Sequence, residues 1–244
     1  NEAGLHHLHG GSQGTAHRIW TIADLASDRV RFEIADPDGH MGYPGTCRIA
    51  CTYRLTDDGG LSVVHEAETD RVTLCNLTHH SYFNLDGGPD IFDHALMIAA
   101  DQYLPTDAER IPLGEIAPVA ETPFDFRQMR SLGQAIRNGH ADYDHNFCVS
   151  YRRVEKRQVA ELRSDESGIS MQVLTSEPGL QFYCGSMLDT PVNGHDGRPY
   201  GRYAGLCLES QVWPDAANHE DFPSAVLQPG EGLRQETDYV FSKR

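Results

Sequence analysis

The chain has 244 residues, of which 20 are Lys or Arg and 36 are Asp or Glu, a formal net charge of −16 at pH 7. So acidic a surface repels nucleic acid and anionic membrane, and it disfavours sugar phosphates unless a local basic pocket exists. The hydrophobic fraction of 39% suffices for a core at this length, and no apolar run approaches membrane-spanning length.

Period-two alternation recurs along the chain, as expected of half-buried strands. Val30, Phe32 and Ile34 alternate with Arg31 and Glu33, and Cys47, Ile49, Cys51, Tyr53 and Leu55 share one strand face. A turn is predicted at Asp57-Asp58-Gly59-Gly60, a strand over 72–77, and another turn at Asp86-Gly87-Gly88-Pro89. A strand over 95–99 precedes a long loop, Leu104 to Arg130, which carries Pro105, Pro112, Pro118 and Pro123 and has the length of a site wall. The single predicted helix covers 131–137, with Ser131 as its cap. Strands follow over 159–162, 169–173, 180–184, 206–208 and 239–241, with turns at Asn193-Gly194 and Asp196-Gly197. Many short strands with little helix imply an all-β sandwich or barrel, and residues 1–244 read as a single domain.

The six cysteines lie in strand faces or apolar stretches, and none forms a CxxC pair. They are expected to be buried thiols rather than a disulfide or zinc framework. No charged-then-apolar leader is present, so a cytoplasmic location is expected.

Three segments carry polar groups suited to chemistry. In Asn76-Leu77-Thr78-His79-His80-Ser81-Tyr82-Phe83-Asn84-Leu85, adjacent histidines on a strand would point to opposite faces, so only one of them can face a site. The mixture of amides and rings suits a sugar, although a core histidine beside an exposed one is the alternative. In Gly205 to Asp215, Glu209 ends an apolar strand, which makes it either a candidate acid or base or an ion-paired strand end. Asp142-Tyr143-Asp144-His145-Asn146-Phe147 precedes a strand as a binding loop or a turn. His6, His7 and His9 lack the spacing of a metal site, Ser81 lacks a nucleophile elbow, and no phosphate loop or dinucleotide fingerprint occurs.

Taken together, these segments resemble the aldose 1-epimerase family. The matching motifs run in order: Leu8-His9-Gly10-Gly11, Tyr43-Pro44-Gly45, Asn76-Leu77-Thr78 through Leu85, Thr122-Pro123-Phe124-Asp125, Asp144-His145-Asn146, Pro178-Gly179-Leu180-Gln181, Leu208-Glu209-Ser210-Gln211, Pro214-Asp215 and Leu227-Gln228-Pro229-Gly230-Glu231. The resemblance implies a large antiparallel β-sandwich of the galactose mutarotase type, with the site in a cleft on one sheet. It implies His80 and Glu209 as the catalytic pair and His9 and Asp144 as holders of sugar hydroxyls, with Gln181 lining the same cleft. Family members carry further strands upstream, with an arginine that reaches the sugar. The chain is therefore expected to be N-terminally incomplete relative to the family, and no downstream motif signals a substitute.

The implied enzyme is an isomerase that interconverts the anomers of free galactose or glucose. Ring opening and reclosure need one base and one acid, expected here as Glu209 and protonated His80. No metal or cofactor is expected, and the implied partner is a monosaccharide, bound by a monomer or homodimer. Two alternatives compete with this reading: a catalytically silent sugar-binding protein, and a sugar-phosphate epimerase, which would need basic residues around the cleft.

Overall fold

The computed structural model describes residues 1, 4–137, 142–194 and 197–243, so Asp196 of the predicted Asp196-Gly197 turn lies outside the described residues. In chain order the first strands are β1 (Thr21–Leu25), β2 (Arg29–Asp36), β3 (Cys47–Leu55), β4 (Gly60–Thr69) and β5 (Thr73–Leu74). Then come β6 (His94–Ile98), β7 (Gln102–Tyr103), β8 (Ala117–Pro118), β9 (Arg130–Ser131), the helix α1 (Leu132–Arg137) and β10 (Asp144–Cys148). The last are β11 (Arg157–Ser164), β12 (Ile169–Thr175), β13 (Gly179–Tyr183), β14 (Cys207–Gln211), β15 (Val226–Leu227) and β16 (Leu233–Lys243).

Antiparallel pairing builds a nine-stranded sheet in the order β1-β2-β3-β4-β16-β12-β11-β6-β9 and a five-stranded sheet in the order β14-β13-β10-β7-β8. One core cluster joins the sheets: Val63, Leu96, Leu162, Met171 and Tyr239 from the large sheet meet Phe147, Leu180, Phe182 and Leu208 from the small one. The arrangement is the expected antiparallel sandwich. Ser131 Oγ accepts a hydrogen bond from the Gln134 amide at 3.4 Å, the cap predicted for the helix. All six cysteines are buried free thiols.

Some strands went unpredicted, β4 among them, and β16 was predicted only over 239–241. The buried positions of β4 include His65 and Thr69, and those of β16 include Gln235 and Thr237, so hydropathy alternation is faint where burial alternation is regular. The predicted strand over 72–77 shrinks to Thr73–Leu74, because Asn76 turns its amide to the backbone of Val212 instead. Asp144 to Cys148, predicted to precede a strand, is itself β10. Among the described residues, no helix is long and apolar enough to cross a membrane.

Candidate active site

The small sheet has two chemically different faces. Register pairs Asp144 with Tyr183 and Tyr183 with Cys207, and pairs Asn146 with Gln181 and Gln181 with Glu209. Alternation therefore sets Asp144, Asn146, Gln181, Tyr183, Cys207 and Glu209 on one face and sends Phe147, Leu180, Phe182 and Leu208 into the core. Gly179 makes room on the polar face, since a Cβ there would stand 2.4 Å from Asn146 Oδ1.

The segment carrying the adjacent histidines is irregular rather than the expected strand, because its backbone is held at intervals instead of along a ladder. Asn76 Nδ2 donates to Val212 O at 2.8 Å and Asn76 Oδ1 accepts from Val212 N at 2.9 Å. Phe83 and Leu206 exchange backbone hydrogen bonds of 2.7 and 3.0 Å. Staples at 76–212 and 83–206 lay the segment antiparallel along β14, and midway between them His80 meets Glu209. Gln235, which is buried, reinforces this by donating to Leu77 O at 2.8 Å and Ser210 O at 2.7 Å.

The two histidines diverge as predicted. His79 enters the core beside Tyr53 and Tyr239 and bonds Ser81 Oγ through Nε2 at 3.0 Å, which occupies that serine. His80 faces the cleft, with Nε2 3.4 Å from Glu209 Oε1 and Nδ1 3.4 Å from Cys207 Sγ. His9 sits in a glycine-rich turn at φ 53° and sets its ring edge-on to His80 at 5.5 Å. That turn needs Gly14, where a Cβ would lie 2.2 Å from His9 O. Gln181 Nε2 donates to Asp144 Oδ1 at 2.8 Å. The five predicted site residues thus share one cleft face. His6 and His7 leave it, for Glu109 and the Tyr43 ring, so the histidine cluster forms no common site.

Electrostatics here run opposite to the expected protonation states. Burial, followed by the Asp144 carboxylate, pushes the Glu209 carboxyl up to about 8. Burial also lowers the His80 imidazole and outweighs the raising effect of Asp144. Near neutral pH the site therefore favours protonated Glu209 beside neutral His80, because desolvation disfavours every charged form. Burial raises Asp144 too, against the pull of the Gln181 hydrogen bond and of Arg110.

Arg110, which no motif signalled, lies in the long loop with Nε 3.6 Å from Asp144 Oδ2 and its side chain 45% exposed. It closes a hairpin in which Asp107 N donates to Ile111 O and Asp107 Oδ1 accepts from the Glu109 and Ile111 amides. Its φ of 66° is left-handed, where glycine is the unstrained choice, yet the residue there carries a guanidinium to the cleft. Cys207 also went unflagged, although it stands two residues before Glu209 on an alternating strand and so had to share its face.

Comparisons with known proteins bear on the family and the fold. The profile of the family described as Aldose 1-epimerase matches residues 1–240. The galactose mutarotase of Rattus norvegicus is 44% identical over 238 residues, covering 96% of this chain and 69% of its own. The aldose 1-epimerase of Escherichia coli K12 is 37% identical over 247 residues, covering 98% and 71%. The crystal structure of a GalM/aldose epimerase homologue from C. elegans superimposes with a TM-score of 0.93 at 32% identity, over all of this chain and 74% of the other. On the strength of motifs, fold and relatives alike, the chain belongs to the aldose 1-epimerase family.

Proposed function

We propose that the chain is an isomerase that interconverts the α and β anomers of a free aldohexose such as galactose or glucose, with His80 and Glu209 as its acid–base pair. The observation that carries this reading is the pair itself, a half-buried His80 against a buried Glu209, with side chains 32% and 7% exposed and Nε2 3.4 Å from Oε1. Sharing one proton, the two groups can open the ring. The protonated partner gives its proton to the ring oxygen while the other removes the proton of the anomeric hydroxyl, and the C1–ring oxygen bond breaks to the aldehyde. The pair still holds one proton, now on the opposite partner. Rotation about C1–C2 turns the carbonyl over, and reclosure returns both protons.

Starting with protonated Glu209 or with protonated His80 describes the same cycle entered at different points. Burial favours the first. His9, Asp144 and Gln181 hold the sugar hydroxyls, and Arg110 braces Asp144 from the loop. A neutral monosaccharide suits a cleft face on which the Asp144 carboxylate is already braced by Arg110 and Glu209 is held protonated, so that no cation among the described residues there is left unpaired for an anion.

Polarimetry on freshly dissolved α-galactose tests the proposal: optical rotation should decay well above the buffer rate. A folded chain that binds galactose in titration without accelerating the decay would instead be a silent sugar-binding protein.

A further inference from the structure

The His80 corner of the cleft holds a donor set that acid–base catalysis does not use in full. Cys207 and Glu209 project from β14 onto one face, and the His80 ring lies between them, with Nδ1 3.4 Å from Cys207 Sγ and Nε2 3.4 Å from Glu209 Oε1, so that one ring nitrogen at a time can serve as ligand. One ligand atom from each of the three residues lies within 4.8 Å of those of the other two. A tetrahedral zinc ion bound to sulfur, nitrogen and oxygen spaces its ligand atoms roughly 3.5 Å apart, so the set has to close by about 1.3 Å at most.

The types of donor matter as much as their spacing. A thiolate, an imidazole and a carboxylate suit borderline-soft cations and discriminate against magnesium and calcium, which take oxygen ligands. Cys207 is wholly buried, and its sulfur lies against the His80 ring. A cation entering from the cleft would complete its shell with water.

We infer that His80, Cys207 and Glu209 form a binding site for a divalent cation of the zinc class, and that its occupancy switches the cleft off by taking both acid–base groups at once. The inhibitory consequence rests on the proposed reaction, but the metal site does not. Binding sends the Cys207 thiol proton and the proton shared by His80 and Glu209 to solvent, since thiolate, neutral imidazole and carboxylate are the ligating forms.

The test uses the whole chain with zinc chloride in the polarimetric assay and cadmium as its spectroscopic stand-in. Zinc should slow mutarotation, sugar should protect competitively, and a chelator should restore the rate. Cadmium should raise an ultraviolet cadmium–thiolate band. In Cys207→Ser, which keeps the side-chain volume, the zinc concentration for half-inhibition should rise at least about tenfold relative to that variant's own zinc-free rate. The band should be lost in the same variant, while Cys51→Ser, a thiol in the core, should change neither readout. An unchanged band or unchanged zinc sensitivity in Cys207→Ser overturns the site. A band lost in that variant without any zinc inhibition of the parent overturns the switch. Should the chain show no mutarotation, the cadmium titration still decides whether the site exists.

Discussion

Glu177 and Glu209 are both buried glutamates with raised carboxyl pKa values, and they serve opposite ends. The Glu177 side chain is 0% exposed and accepts a hydrogen bond from Arg153 Nε at 2.7 Å, while Arg157 binds its backbone carbonyl at 3.0 Å. Burial raises its carboxyl, and the two guanidiniums pull it back. Glu209 has an imidazole opposite it, and the charge that raises its carboxyl further is another carboxylate, Asp144. Burial alone therefore does not mark a functional carboxyl. A partner that can itself exchange a proton does, because a permanent cation locks its carboxylate in one state.

Glu209→Gln should break the comparison most sharply. Turnover should fall by about 10²- to 10⁴-fold with sugar affinity nearly intact, as single-turnover rates and a binding titration would show. The fold should not suffer. With its folded pKa near 8 against an ordinary 4.5, Glu209 favours the folded state below pH 4.5. The relative cost of the buried carboxyl grows as pH rises through that window and is constant above it. The variant should therefore melt higher than the parent at alkaline pH and alike at acidic pH. An equal gap at both would contradict the burial argument.

Arg153→Met addresses the other glutamate. It leaves Glu177 buried without its hydrogen-bonded cation and should cost about 3 kcal/mol in urea unfolding, the low end for a broken pair because Arg153 is partly exposed. The rate per folded molecule should not change. If activity fell with it, the division between structural and chemical carboxyl would fail.

The pH profile of kcat/KM sharpens the same contrast. It should be bell-shaped, with the alkaline limb near 8 set by Glu209 and the acid limb below the ordinary histidine range set by His80. Above the alkaline limb the decline should approach about tenfold per pH unit. A flat profile to pH 10 would assign the proton elsewhere.

Arg110→Gly is the smallest effect and the one with two signs. Relief of the left-handed backbone should stabilise by about 1 kcal/mol. KM should rise by about fivefold at an exposed ion pair, with kcat largely kept. Loss of stability, or a fall in kcat alone, would mean that Arg110 does not brace Asp144.

Much of the site was legible because its residues come in compact motifs. His80 within Asn76 to Leu85 and Glu209 within Leu208 to Gln211 each stand among neighbours that explain them. Leu208 alternating with Glu209 already announces a strand with one apolar and one polar face. The cysteines were legible for the same reason. Arg110 was not, since it sits in a proline-rich loop whose path no periodicity describes, and its role depends on where the hairpin at Asp107 ends. Gln235 was hidden differently: an amide at a buried strand position lowers the hydropathy signal of the strand it stabilises.

By itself, then, the sequence determined the class of fold and the chemical inventory: alternation sets which face each strand residue takes, and side-chain type sets what that face can do. Only the tertiary structure decided the rest. It set His80 opposite Glu209 through staples more than 120 residues apart in sequence. It also decided which protonation states the pair prefers, because desolvation is a property of everything packed around a group and not of its neighbours along the chain.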